Sequence, residues 1–295
     1  MRKFIILLLS ILLLSACGNT VKETDKEQDQ GNSNEQTDNQ EQTNTANDVD
    51  DAEDATNEED DVEEPESPGE ELVKQYRLND TYSVVPIDDA DENIILLTID
   101  DAPDKHALEM AKTLKELDAP AIFFVNGHFL TTPESEEMLK EIHEMGFPIG
   151  NHTYSHKNLK DLSEEEQREE IVSVSDRVEE IIGERPKFFR APHGSNTEFS
   201  ENLVAEEKML LMNWTYGYDY FEPYMDKDKI VEAMISGEGP EVDVPYSLLK
   251  PGANLLMHDR EWTNAGLKEI VEGLRAKGYE PVDPRLIETP GEERE

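Results

Sequence analysis

From Ile94 onward the chain alternates short apolar runs with segments whose apolar residues recur every three or four positions. That rhythm restricts the fold more than any other feature. Apolar runs separated by helices of ten or more residues pair most readily as parallel strands, because a parallel return needs a crossover of that length. The runs are Ile94–Leu97, Ala121–Val125, Phe147–Ile149, Lys187–Phe189, Met209–Met212, Ala253–Met257 and Tyr279–Val282. Helices are predicted between them. The first covers 104–117, with Leu108, Ala111, Leu114 and Leu117 on one face. A second starts at Thr132-Pro133, lines Met138, Ile142 and Met145 on one face, and stops at Gly146. A long one runs from a Ser163/Glu166 capping box to Gly183. Two more cover 226–235 and 264–277. The expectation is an α/β fold, a distorted (β/α) barrel of about seven parallel strands over residues 93–284. A lead-in at 72–92, with a short strand near Tyr82–Val85, precedes it, and a frayed tail at 285–295 follows. Neither GxGxxG nor a phosphate-binding loop occurs, which argues against a nucleotide site.

Polar groups stand at the ends of five of these runs. Asp100-Asp101 follow the first, and His152 and His156 follow the third. Arg190 follows the fourth, Trp214 and Asp219 the fifth, and His258-Asp259 the sixth. In a barrel the carboxyl ends of the strands converge on one mouth, so the five placements predict an active site. Adjacent carboxylates ending a buried strand repel, and a metal ion, a shared proton or a nearby Arg must offset that. His152 and His156 are four residues apart, which on a helical turn puts both imidazoles on one side. The spacing matches the zincin pair, but Thr153 stands where that motif has Glu, which disfavours such a protease. Two His and one carboxylate are a known tally for a catalytic zinc with a position open for water.

The N-terminal quarter has a different character. Arg2 and Lys3 precede an apolar stretch, Phe4–Leu14, too short to span a bilayer and laid out like a secretory signal. It ends at Leu14-Ser15-Ala16-Cys17, which resembles the lipobox of bacterial lipoproteins and implies a signal peptide at 1–17 with Cys17 as the acylated residue. Cys17 is the only cysteine, so no disulfide forms within one chain. Residues 18–71 hold 21 Asp/Glu, two Lys and no aromatic residue. Such a segment cannot bury enough apolar surface to order itself, and it is expected to be a disordered acidic linker, a tether of roughly 40 Å. With a formal net charge of -42, binding to nucleic acid is excluded as a main role.

Together the polar clusters resemble the five motifs of the NodB-type polysaccharide deacetylases, carbohydrate esterase family 4. They stand as Thr98-Ile99-Asp100-Asp101, His152-Thr153-Tyr154-Ser155-His156, Arg190-Ala191-Pro192-His193-Gly194, Trp214 through Asp219-Tyr220, and Leu256-Met257-His258. The resemblance implies removal of N-acetyl groups from an N-acetylated glycan. It makes Asp101, His152 and His156 ligands of one divalent ion, Zn²⁺ by default, with Co²⁺, Ni²⁺ or Mn²⁺ as alternatives. It makes Asp100 the general base, His258 the general acid and Arg190 the group orienting Asp100. Asp219 would pair with His258 or with Arg190. Pro192, His193, Trp214, Tyr220 and Leu256 would shape the substrate pocket, and a backbone N–H near His193 would serve the oxyanion. Ile99, Ala102, His193 and Tyr220 depart from the residues usual there, which bears on the groove more than on the chemistry. The expected protein is a lipid-anchored, extracytoplasmic deacetylase of peptidoglycan N-acetylglucosamine, with no protein partner inferable. The competing expectation is a wall-binding lipoprotein that keeps the fold without turnover. Among the other histidines, His106 and His143 are expected on helix surfaces, and His128, which follows a strand, is read first as a group without a role in the site, with substrate contact as the alternative.

Overall fold

A computed structural model describes residues 72–292. The expected signal peptide with Cys17 and the acidic linker 18–71 lie outside the described residues. The described chain opens with an antiparallel hairpin, β1 (Tyr76–Leu78) and β2 (Val84–Pro86). The strand–helix alternation follows: β3 (Ile94–Ala102), α1 (Ala107–Glu116), β4 (Ala121–Val125), α2 (Pro133–Glu144), β5 (Ile149–Asn151), α3 (Glu164–Ile182), β6 (Phe188–Phe189) and α4 (Glu198–Glu206). Then come β7 (Leu210–Leu211), α5 (Lys227–Ser236), β8 (Ala253–His258), α6 (Glu261–Ala276) and β9 (Glu280–Pro281).

Strands β3 to β9 form one parallel sheet of seven, in the order β7-β6-β5-β4-β3-β8, with β9 paired to the first residues of β3. The sheet curls into the predicted distorted barrel, and one chain segment joins its ends. Leu210–Leu211 pair with β6, while Tyr216, six residues past Leu210, bridges Leu255 of β8. Thr215 N–H donates to the Asn254 carbonyl at 2.8 Å, and Leu256 N–H to the Tyr216 carbonyl at 2.9 Å. The next residue, Gly217, passes so near β8 that a Cβ would lie 2.3 Å from the Leu256 carbonyl oxygen.

Alternate strand residues face opposite sides. Ile95, Leu97 and Ile99 of β3 pack with Met110, Leu114, Ile270 and Leu274 of the helices. Leu96, Ile122, Phe124, Phe188 and Met212 form a second core with Tyr76 and Val84 of the hairpin, Val282 and Ile287. Because both faces of β3 and β4 are buried, their sequences read as unbroken apolar runs.

Most helix signals work as read. Thr132 and Ser163 each cap through a reciprocal side-chain pair, and Gly183 ends α3 in the left-handed conformation. Four expectations need correction. Helix α2 buries Ser135, Leu139 and Ile142; of the expected face Met138, Ile142 and Met145, Ile142 is buried and the two methionines are half-buried. The first helix starts at Ala107, not 104, because Asp259 holds the backbone N–H groups of Asp104, His106 and Ala107. Helix α4 was not expected; its cap is Thr197 with Ser200, without the Glu or Gln that signals a capping box. The tail at 285–292 is packed, not frayed. Ile287 is buried and bridges Tyr76, and Glu288 N–H donates to the Tyr76 carbonyl at 2.8 Å.

Glu292 closes that tail by pairing with Lys74 and Lys187 and accepting from Thr289. Burial pushes its pKa up, but these bonds outweigh it and hold the group at about 2, against an ordinary 4.5. A depressed carboxylate pKa contributes stability above the unfolded value, and the contribution disappears as pH falls through the folded one. The side chain is one-third exposed, so screening limits the effect to under ~1 kcal/mol. Glu292→Gln should lower the urea midpoint at neutral pH, and the difference from wild type should shrink between about pH 4.5 and 2.

Candidate active site

Two neighbouring residues of a regular strand cannot face the same way. Asp100 and Asp101 do so because β3 bulges there. Ile99 pairs with Phe123, but the next pair along β4 is Ala102 with Val125, leaving an extra residue on β3. Asp101 takes it up at φ 61°, a left-handed conformation that costs a non-glycine residue roughly 1 kcal/mol or more. The bulge turns both carboxylates into one pocket of about 420 Å³.

Asp100 is buried, and Arg190 meets it. The Arg190 guanidinium, fully buried, donates from Nη1 to Asp100 Oδ1 at 2.6 Å and to Thr98 Oγ1 at 2.8 Å. Its Nη2 donates to the Asn213 carbonyl at 3.0 Å, and its Cζ lies 4.4 Å from the centre of the Phe124 ring. The guanidinium is thus fixed from three sides, with one oxygen of Asp100 tied to it. Asp100 Oδ2 lies 3.5 Å from His152 Nε2.

His152 and His156 do not share a helical turn, which corrects the expectation. They lie on a loop with left-handed residues at Thr153 (φ 66°) and His156 (φ 56°). Glu170 of α3 holds that loop by accepting from the Ser155 N–H at 2.7 Å and from the Ser155 hydroxyl. The two rings end 4.9 Å apart, centre to centre. His152 Nδ1 lies 2.7 Å from the Arg190 carbonyl, which can only accept. The proton of the neutral ring is therefore on Nδ1, leaving the Nε2 lone pair toward the aspartates. Burial pushes His152 below the ordinary imidazole pKa, and burial followed by the neighbouring His152 pushes His156 down to about 4. Both rings are neutral at neutral pH. Asp101 Oδ1 stands 3.5 Å from His156 Nε2 and 3.9 Å from His152 Nε2. One ligand atom from each of the three residues lies within 4.8 Å of the others. Two neutral imidazoles and a carboxylate are a donor set that fits a divalent transition metal ion.

Across the pocket, His258 pairs in register with Asp100 on the neighbouring strand. Its Nδ1 lies 2.7 Å from Asp219 Oδ1, and Asp219 Oδ2 accepts from the His258 N–H and the Thr263 hydroxyl, each at 2.7 Å. Of the two partners open to Asp219, the structure has His258. Burial lowers the His258 pKa, but the Asp219 charge and hydrogen bond, together with the charges of Asp100 and Asp101, raise the value above 6.5. Trp214, Tyr220, Leu256 and His193 line the same pocket, whereas Pro192 is buried at the start of a short turn and is not among the lining residues. His193 meets the His156 ring edge-on at 5.0 Å. His128 stands apart from the pocket lining, with Nδ1 2.8 Å from the Tyr154 carbonyl. His106 is the residue before α1, at its N-cap position, and His143 lies on α2, both half-buried.

The profile of the family described as polysaccharide deacetylase matches residues 88–211. A peptidoglycan-N-acetylglucosamine deacetylase of Bacillus cereus is 32% identical over 203 residues, spanning 68% of this chain and 70% of that protein. The chain belongs to the polysaccharide deacetylase family, carbohydrate esterase family 4. The deacetylase also resembles two solved structures. The peptidoglycan deacetylase PdaC from Bacillus subtilis is 27% identical, with a TM-score of 0.56 over 66% of this chain and 89% of that one. A family 4 pseudoenzyme from Bacillus anthracis is 25% identical, with a TM-score of 0.55 over 64% of this chain and 63% of that one.

Thr98, the first residue of the first motif, accepts from the Arg190 guanidinium. Several other residues that build the deacetylase pocket carried no sequence signal. Asn213 and Asn254 also surround that guanidinium, and Thr263 and Trp262 secure Asp219. Arg260 lines the pocket and donates to Asp101 Oδ2 at 2.6 Å. Asp259, which follows His258 in sequence, turns away to accept the N–H groups of Asp104, His106 and Ala107.

Proposed function

We propose that this deacetylase is a metal-dependent hydrolase that removes N-acetyl groups from peptidoglycan N-acetylglucosamine. One observation carries the reading: the ligand atoms of Asp101, His152 and His156 cluster within 4.8 Å, in a pocket that also holds Asp100 and His258. An amide is a poor electrophile with a poor leaving group, so its hydrolysis needs an activated water, charge stabilisation on oxygen and a proton for nitrogen. A divalent ion held by Asp101, His152 and His156, Zn²⁺ by default, would polarise the carbonyl and acidify the attacking water. Asp100 accepts the water proton, with Arg190 holding one of its oxygens so that the other faces His152. His258, whose charged form the Asp219 carboxylate favours, gives its proton to the departing amine. Trp214, Tyr220 and Leu256 enclose the acetyl methyl group, and a backbone N–H near His193 donates to the amide oxygen. The products are acetate and a sugar amine that is cationic at neutral pH, which would change wall charge and lysozyme sensitivity.

The Bacillus cereus relative's substrate supports N-acetylglucosamine. A Bacillus subtilis relative named for N-acetylmuramic acid keeps that sugar as the alternative. The leader with Cys17 and the acidic segment 18–71 support a lipid-anchored enzyme tethered outside the membrane. No helix among the described residues is long and apolar enough to cross a membrane. The second reading, a wall-binding protein without turnover, draws on the pseudoenzyme likeness and on His193 and Tyr220 in the groove. Acetate release separates the two. Metal-loaded protein should release acetate from N-acetylglucosamine oligomers, a chelator should reduce release to background, and added Zn²⁺ should restore it. Binding of the oligomers with no release under any metal would favour the second reading.

A further inference from the structure

Arg260 belongs to none of the motifs, yet it reaches the centre of the site. Its Nη2 donates to Asp101 Oδ2 at 2.6 Å, and its Nη1 to the Asp259 carbonyl at 3.2 Å. The side chain is about one-third exposed, at the rim of the pocket. The two oxygens of Asp101 are therefore divided: Oδ2 is tied to Arg260, while Oδ1 stands 3.5 Å from His156 Nε2. A free carboxylate can offer an ion one oxygen or both and can rotate between these modes. With its backbone fixed in the bulge and Oδ2 engaged, Asp101 presents Oδ1 alone. Asp100 is treated likewise, with Arg190 on its Oδ1. Each member of the acid pair thus has its own arginine, so their mutual repulsion is offset without an ion.

We infer that Arg260 is a positioning residue for the metal site: it holds Asp101 so that one oxygen faces the two imidazoles and keeps the three ligands assembled before an ion binds. The inference rests on the metal reading above. Two other roles for Arg260 give different signatures. A cation that merely repelled the ion would weaken binding, so its removal would tighten it. A cation that contacted only substrate would change KM and leave metal affinity alone.

The test is Zn²⁺ affinity of the full chain, measured by competition with a chromophoric chelator, for wild type, Arg260→Met and Arg260→Lys. Removing a partner that orients a metal ligand costs about 10- to 100-fold in affinity. Arg260→Met should weaken Zn²⁺ binding by that factor, with the thermal midpoint of the metal-free protein close to wild type. Arg260→Lys keeps the charge but not the fork, and should fall between the two; it decides the matter if Arg260→Met does not fold. The visible spectrum of the Co²⁺-loaded protein should also change in Arg260→Met, as Asp101 gains freedom. Unchanged affinity with a raised KM, or tighter binding, overturns the inference. Wild-type protein that binds no divalent ion overturns the metal reading and this inference together, so the wild-type arm tells the two failures apart.

Discussion

Asp100→Asn protein should release acetate about 10²- to 10⁴-fold more slowly than wild type while still binding a divalent ion. The substitution keeps size and one acceptor oxygen, and it removes the charge that makes Asp100 a base. Asp101, His152 and His156, which form the ligand cluster, are untouched. The cost to the fold comes from Arg190. Its guanidinium is fully buried, and among the described residues the carboxylate it pairs with is Asp100, at 2.6 Å. Removing one partner of a buried ion pair costs about 3–5 kcal/mol, because the other charge is left without compensation. An amide oxygen still accepts from Nη1, and Thr98, Asn213 and Asn254 remain around the guanidinium, so a loss at or below the lower end of that range is expected. Three measurements check the prediction: kcat on N-acetylglucosamine oligomers, the urea midpoint, and Zn²⁺ titration. A kcat close to wild type would remove Asp100 from the chemistry.

The residues at the carboxyl ends of the strands were legible because a barrel with buried strands leaves polar side chains few places to go. Asp100, His152, Arg190, Asp219 and His258 are each buried or nearly so and lie around one pocket or directly behind it. What the sequence hid is how they are aimed. Nothing in Ile99-Asp100-Asp101-Ala102 announces a bulge, because its cause is the register against β4, some twenty residues later. The His152–His156 spacing suggested a helical turn, yet the rings meet through two left-handed residues and a loop held by Glu170. That contact joins positions fifteen residues apart and leaves no periodic trace. Asp259 shows the reverse case. It sits in a run of polar residues after a strand, as a site residue would, and its carboxylate instead accepts three backbone N–H groups before α1. Tail residues 287–289 were equally silent, because two apolar residues, Leu286 and Ile287, followed by a polar end are too short a run to mark an element.

Asp219→Asn should move the alkaline limb of kcat to lower pH and slow turnover at neutral pH by on the order of 10²-fold, at the lower end of what general acid catalysis supplies. His258 can act as an acid only while protonated. Its burial opposes the charged form, and the Asp219 carboxylate is the largest of the influences that act against burial, ahead of Asp100 and Asp101. Without that charge the His258 pKa falls, so the protonated fraction is lost at a lower pH than in wild type. An ion at Asp101 would shift His258 in both proteins alike, and its contribution largely cancels in the comparison. The stability linkage has the same sign. A His whose folded pKa lies above its unfolded 6.5 contributes stability that is fully present below 6.5 and is lost as pH rises through the folded value. The urea midpoint of wild type should therefore exceed that of Asp219→Asn by more at about pH 6 than at about pH 9. Asp219 also accepts from the His258 N–H and the Thr263 hydroxyl, and asparagine can keep only part of that set. Some loss of stability should thus persist at every pH, and only the pH-dependent remainder reports the charge. An alkaline limb that stays in place in Asp219→Asn would mean that His258 is not the proton donor.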